Sequence, residues 1–265
     1  MNISDILLGA AIIIAAPAVN RVGEAKAAVN KEAKAQQIHP DQVVVDSPFV
    51  HDPVLAYENG KYYLYSTGHG ILQMTSADRK HWTLCREGVL KNHEIPAWTH
   101  DSVPGFHTHI WAPDVIHYRN KWYLAYSCST FGKNTSAIGL LSNTSLANMN
   151  GWKDEGCILA SEGKRDNWNA IDPNFVIDDK GNPWMTWGSF WDGIQLVKLD
   201  KKTMHVKKGA KPQTIARRHA FGDASAELNP TSKFAGTNAI EAPFIMKHGD
   251  YYYLFVSWDY CCRGI

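Results

Sequence analysis

The sequence lacks a surplus of charge of either sign, with 27 Lys plus Arg against 26 Asp plus Glu. Proteins that grip nucleic acid or an anionic membrane usually carry a basic excess, so neither partner is expected. Cysteine is sparse. Cys85, Cys128, Cys157, Cys261 and Cys262 form no C-x-x-C pair and no Cys/His spacing of the kind zinc requires. An odd number leaves at least one thiol unpaired, and a bond between the adjacent Cys261 and Cys262 would close a strained ring. After residue 45 no long amphipathic helix pattern occurs. No apolar run is long enough to cross a bilayer comfortably; the uncharged stretch from Ile6 to Val19 falls short.

That stretch fits the apolar region of an export signal, with small-residue sites at Ala16-Pro17-Ala18 and Ala25-Lys26-Ala27. Asp5, and the absence of Lys and Arg before the run, depart from the usual basic start. Residues 1–27 are therefore expected to be a signal peptide and 28–44 a linker, the latter free of aromatics. Secretion or a periplasmic location follows, with no membrane attachment after processing.

What is abundant is aromatic: 10 Trp, 11 Tyr and 9 Phe. Trp at this density serves either as core filler between sheets or as flat platforms for sugar rings. These residues recur in a pattern. Four segments share one plan: a proline-led apolar segment, a tight turn, then a longer aromatic strand. They run from His51-Asp52-Pro53-Val54 to Tyr65-Ser66, from Trp111-Ala112-Pro113-Asp114 to Tyr126-Ser127, from Ile171-Asp172-Pro173-Asn174 to Trp187-Gly188, and from Glu241-Ala242-Pro243-Phe244 to Ser257. A third apolar stretch follows in the first three units, and a weaker fourth strand is expected after it. Three or four antiparallel strands every 60 to 70 residues describe the blades of a β-propeller better than a sandwich or a parallel barrel. The fold class is all-β, with residues 45–265 forming about three and a half blades. A propeller must close to remove its open sheet edges, so about one and a half blades are expected to be missing.

In a propeller the first strand of every blade faces the axis, so equivalent positions converge. Asp52, Asp172 and Glu241 open the innermost strands of three units in the same register, whereas Asp114 follows its proline and should point elsewhere. Three crowded carboxylates repel, and at least one should keep its proton near neutral pH. Such a cleft offers an acid and a base, as glycosidic hydrolysis requires.

His51-Asp52-Pro53, Ile110-Trp111-Ala112-Pro113-Asp114-Val115, Asn169-Ala170-Ile171-Asp172-Pro173-Asn174 and Ile240-Glu241-Ala242-Pro243 resemble glycoside hydrolase family 43. Within it the segments at Cys128-Ser129-Thr130-Phe131-Gly132, Trp187-Gly188-Ser189-Phe190-Trp191 and Trp258-Asp259-Tyr260-Cys261-Cys262-Arg263-Gly264 are similar to endo-1,5-α-L-arabinanases. The resemblance implies a five-bladed propeller, C-terminally truncated here, that hydrolyses internal α-1,5-arabinofuranosidic bonds with inversion. Asp52 would be the general base, Glu241 the general acid, and Asp172, held ionised, would raise the pKa of that acid. Substrate contacts would come from Asp52, Gly132, Asn169, Ala170, Ile171, Asp172, Ser189, Phe190 and Trp191, the last two stacking on furanose faces; Trp111 and His109 are further wall candidates. The substrate would be plant cell-wall arabinan or arabino-oligosaccharides, and the protein a monomer. No cofactor is needed for the chemistry. The family implies a structural calcium ion, with ligands expected beyond Ile265; His51, His107 and His109 do not make a site for so hard a cation. Asn134-Thr135-Ser136 and Asn143-Thr144-Ser145 match the glycosylation sequon. The competing readings are an exo-acting α-L-arabinofuranosidase or β-xylosidase on the same fold, and a non-catalytic carbohydrate-binding propeller.

Overall fold

A computed structural model describes residues 42–91, 94–218 and 239–258. The expected signal peptide, most of the linker and the Cys261-Cys262 pair lie outside the described residues. Strand is the dominant regular structure of the described residues, arranged in four antiparallel sheets. The first contains β1 (Gln42–Val45), β2 (Val54–Glu58), β3 (Lys61–Ser66), β5 (Leu72–Ser76) and β6 (Trp82–Cys85), in the order β1-β6-β5-β3-β2. The second contains β7 (His109–Tyr118), β8 (Lys121–Cys128), β9 (Ser136–Asn143) and β10 (Lys153–Ser161), with the two-residue β4 (Gly68–His69) against β7. The third holds β11 (Asn174–Ile177), β12 (Pro183–Trp187), β13 (Ile194–Lys198) and β14 (Gln213–Ala216), and the fourth β15 (Ile240–His248) and β16 (Tyr251–Trp258). Only the five-residue α1 (Trp98–Ser102) interrupts the pattern among the described residues.

Each repeat becomes a hairpin because its turn chemistry demands it. Asn59 and Gly60, between the paired Glu58 and Lys61, both have positive φ (48° and 83°), as a two-residue turn between twisted strands needs. The apolar third stretches form β5, β9 and β13, and the weaker fourth strands are β6, β10 and β14. β1 is a difference from expectation. Gln42–Val45 pairs with β6, so the sheet takes in residues 42–44, which the sequence assigned to the linker. Their Val-rich backbone caps an edge that β6 would otherwise leave open.

The sheets pack face to face in chain order. Tyr63 and Tyr65 of the first meet Leu124 and Tyr126 of the second, and Tyr123 and Ala125 meet Met185 and Trp187 of the third. Val176 and Leu196 then meet Ile245 of the fourth. The leading strands β2, β7, β11 and β15 touch in succession. Polar links reinforce that succession: Asp114 on β7 accepts from the Phe175 N–H (2.7 Å) and the Asn174 side chain (3.2 Å), and Asn174 accepts from the Ile245 N–H (2.8 Å). Asp114 is buried, and that burial pushes its carboxyl up to about 7. It therefore points away from the other acids, as expected, and serves the packing. Both sequon asparagines are buried with their amides bonded to backbone carbonyls, so neither Asn134 nor Asn143 offers a glycan acceptor in the folded protein.

Candidate active site

The residue before each proline takes an unusual backbone. Asp52, Ala112, Asp172 and Ala242 all have positive φ, between 42° and 57°, where β-carbons are disfavoured and the following proline normally imposes an extended chain. Glu241 is thus one residue earlier than Asp52 and Asp172 in the repeat and shares its position with His51, Trp111 and Ile171. The expected common register of three acids is corrected to two plus a neighbour. A bulge between Glu241 and Phe244, matching that between Trp111 and Asp114, turns the chain there.

The three carboxylates nonetheless lie within one another's electric field. Burial pushes Asp172 well above the usual carboxylate range, and the charges of Glu241 and then Asp52 push it further, against the Ala242 N–H donated to Oδ2 at 3.2 Å. Glu241 is raised too, by burial and then by Asp52; the hydroxyl of Ser189, donated to Oε2 at 2.9 Å, and the nearby His51 oppose the rise. The sequence led us to expect an ionised Asp172 driving Glu241 upward. Burial is instead the larger cause at both, and Asp172 bears the stronger push. Burial and neighbouring negative charge thus both favour the protonated forms of Asp172 and Glu241. Asp52 accepts from the Thr67 hydroxyl at 2.6 Å, and His51 Nε2 lies 3.4 Å from its other oxygen.

The surroundings are built by the same repeat. Gly188 has φ of +132°, and a β-carbon there would stand 2.3 Å from the Gly193 carbonyl, so only glycine fits; its N–H binds the Ile171 carbonyl (2.9 Å). Ser189 then pairs with Glu241 across the sheets. Asn169 is buried and accepts from the Ser136 hydroxyl (2.7 Å), which also contacts Ser129, tying the Gly132 turn to the wall beside Ala170, Ile171 and Asp172. Gly132 itself takes φ of +73°. Phe190 and Trp191 depart from expectation. Both have positive φ, and both pack into an apolar cluster with Ala239 rather than offering open faces to a sugar. Their turn, with Gly193 N–H closing on the Phe190 carbonyl, rolls the rings inward. Trp111 stays partly exposed, donating its indole N–H to His109 (3.0 Å), whose imidazole stacks edge-on against His69. Burial, with His69 and His51 close by, holds His109 below the usual histidine range.

Sequence reasoning missed Thr67; the available signal was that Thr67, Ser127, Gly188 and Ser257 occupy one position in the four repeats. Among the described residues no group of three or more His, Cys, Asp or Glu is arranged to hold a metal ion, so the calcium implied by the resemblance finds no ligand set there. Cys85, Cys128 and Cys157 are free thiols. No described helix is long and apolar enough to cross a membrane.

Carboxylates delivered by separate sheets of an all-β chain, two of them with raised proton affinity, are an arrangement that acid–base hydrolysis of a glycosidic bond can use, as in glycoside hydrolases. The model of the glycosyl hydrolases family 43 matches residues 42–264, and the chain belongs to that family. An extracellular exo-α-(1→5)-L-arabinofuranosidase of Cellvibrio japonicus is 42% identical over 217 residues, 81% of this chain and 60% of the relative. An extracellular endo-α-(1→5)-L-arabinanase of Bacillus subtilis is 40% identical, covering 82% and 61%. Among solved structures, an exo-1,5-α-L-arabinanase from a bovine ruminal metagenomic library superposes with a TM-score of 0.72 at 53% identity, covering 83% of this chain and 68% of that one. The chain thus spans about 60% of the length of these two curated relatives.

Proposed function

We propose that this chain carries the catalytic centre of a secreted, inverting hydrolase of α-1,5-linked arabinan, in which the four sheets are blades of a five-bladed propeller. The observation that carries the reading is the convergence of three acids from three sheets: the charges of Glu241 and Asp52 act on Asp172, and that of Asp52 acts on Glu241. Asp52 acts as general base on the attacking water, and Glu241 donates its raised proton to the leaving oxygen. Asp172, bonded to the N–H beside Glu241, orients that acid. Inversion requires the base and acid to stand roughly 6.5–9.5 Å apart, leaving room for a water. Arabinan and arabino-oligosaccharides are the substrates, and an extracellular location accords with the names of both bacterial relatives.

Glu241→Gln tests this directly. Hydrolysis of linear arabinan by the purified protein should fall by about 10²- to 10⁴-fold, the usual contribution of a general acid, while arabino-oligosaccharide binding by calorimetry persists. Wild-type turnover in that variant would remove Glu241 from the mechanism, and lost binding would favour a structural role. Endo action, supported by the Bacillus relative, yields oligosaccharides of mixed length from the first minutes. The second reading, exo action, is favoured by the 42% and 53% identical proteins and yields one short product throughout.

A further inference from the structure

Thr67 is absent from the acid set, yet it touches two of the strained residues that shape the site. It is 9% exposed, lies just after β3, and bonds in two directions at once. Its hydroxyl donates to Asp52 Oδ2 at 2.6 Å, and its Oγ1 accepts the backbone N–H of Ala112 at 2.8 Å. Both neighbours hold positive φ ahead of a proline, a conformation that persists only where surrounding bonds over-determine it. The Thr67 N–H also binds the His51 carbonyl (3.0 Å), fixing the peptide that leads into Asp52.

The arrangement recurs. Ser127, at the same position in the second repeat, accepts the N–H of Asp172 at 3.0 Å. Glycine occupies the position in the third repeat, and there Asp172 itself accepts the equivalent N–H, that of Ala242. Each sheet thus anchors the strained residue of the next through one side-chain oxygen. Only at Thr67 does that oxygen also hold an acid that the proposed mechanism requires to be free of its proton.

We propose that Thr67 is a positioning residue for Asp52: it fixes the carboxylate's orientation and couples it to the Ala112 turn, and hence to Trp111 on the neighbouring sheet. The proposal rests on the reading of Asp52 as general base. Being buried, Thr67 acts through Asp52 and Ala112 rather than on substrate. A bond to a charged acceptor in a chain of bonds is among the stronger hydrogen bonds in a protein.

The test compares Thr67→Val, which keeps the side chain's shape and removes the hydroxyl, with Thr67→Ser, which keeps the hydroxyl. With linear arabinan, T67V should lose about tenfold or more in kcat with KM changed less than about threefold, and T67S should recover most of the loss. The Ala112 amide supplies a readout independent of turnover: its hydrogen exchange should accelerate in T67V and stay slow in T67S. Wild-type kcat in T67V, unaltered Ala112 protection, or a T67S as impaired as T67V would each overturn the proposal. Asp52→Asn, assayed alongside, separates the two levels. If D52N is inactive while T67V is fully active, the Thr67 inference alone fails; an active D52N removes the general-base reading beneath it.

Discussion

At the scale of single residues, the site depends on opposing influences on two carboxyls. Glu241 is raised by burial, while the Ser189 hydroxyl stabilises its ionised form. Ser189→Ala removes the opposing bond, so Glu241 should hold its proton to higher pH. With Glu241 as general acid, the basic limb of the kcat/KM profile should move to higher pH, which a pH–rate series measures; a limb that stays or moves down would contradict the assignment. Asp52 and Asp172 were legible in the sequence because each stands before a proline in a recognisable repeat. Glu241 was legible as an acid but misplaced by one position, because the extra residue before Pro243 was not read as an offset in the strand. Thr67 was legible only as one of four residues at a shared repeat position; a hydroxyl at a strand end is common, and its two contacts are what distinguish it. Phe190 and Trp191 mislead in the other direction: an aromatic pair beside a site suggests platforms, whereas their backbone turns them inward. Glu58 looks like a solvated turn charge, yet it gathers the Trp122 indole, the Ser145 hydroxyl and the Leu146 N–H.

At the scale of the elements, the hairpins were readable from turn residues and aromatic strands, and so was their antiparallel order. What the pattern does not encode is how one sheet is held against the next. Asp114 shows the physical reason, since a buried acid between β7 and β11 gives the same letter as a catalytic one. Its folded-state pKa of about 7 lies above the ordinary aspartate value near 3.9. A group raised on folding contributes stability that is complete below its unfolded pKa and is lost as pH rises through the folded one. The protein should therefore lose stability between about pH 4 and pH 7 on account of Asp114. Asp114→Asn keeps an acceptor for the Phe175 N–H without the charge, so Tm across this range should vary less than in wild type. Parallel curves from thermal melts at pH 5 and pH 8 would show that Asp114 does not titrate as described.

At the scale of the whole molecule, the sheets share three apolar interfaces and leave two terminal faces of like character. On the first sheet Leu55 (52% exposed) and Tyr57 (57%) look outward, and on the fourth Phe244, Met246, Tyr251 and Phe255 do. The succession of sheets matters most for function, because it carries acids from positions 52, 172 and 241 into one field. The most direct test of that convergence is the anomeric configuration of the first product, followed by proton NMR during hydrolysis of linear arabinan. Attack by a water activated at Asp52, opposite a proton delivered from Glu241, predicts that the β-anomer appears first and then mutarotates. Initial release of the α-anomer would mean retention, and the proposed base and acid would not be working as a separated pair.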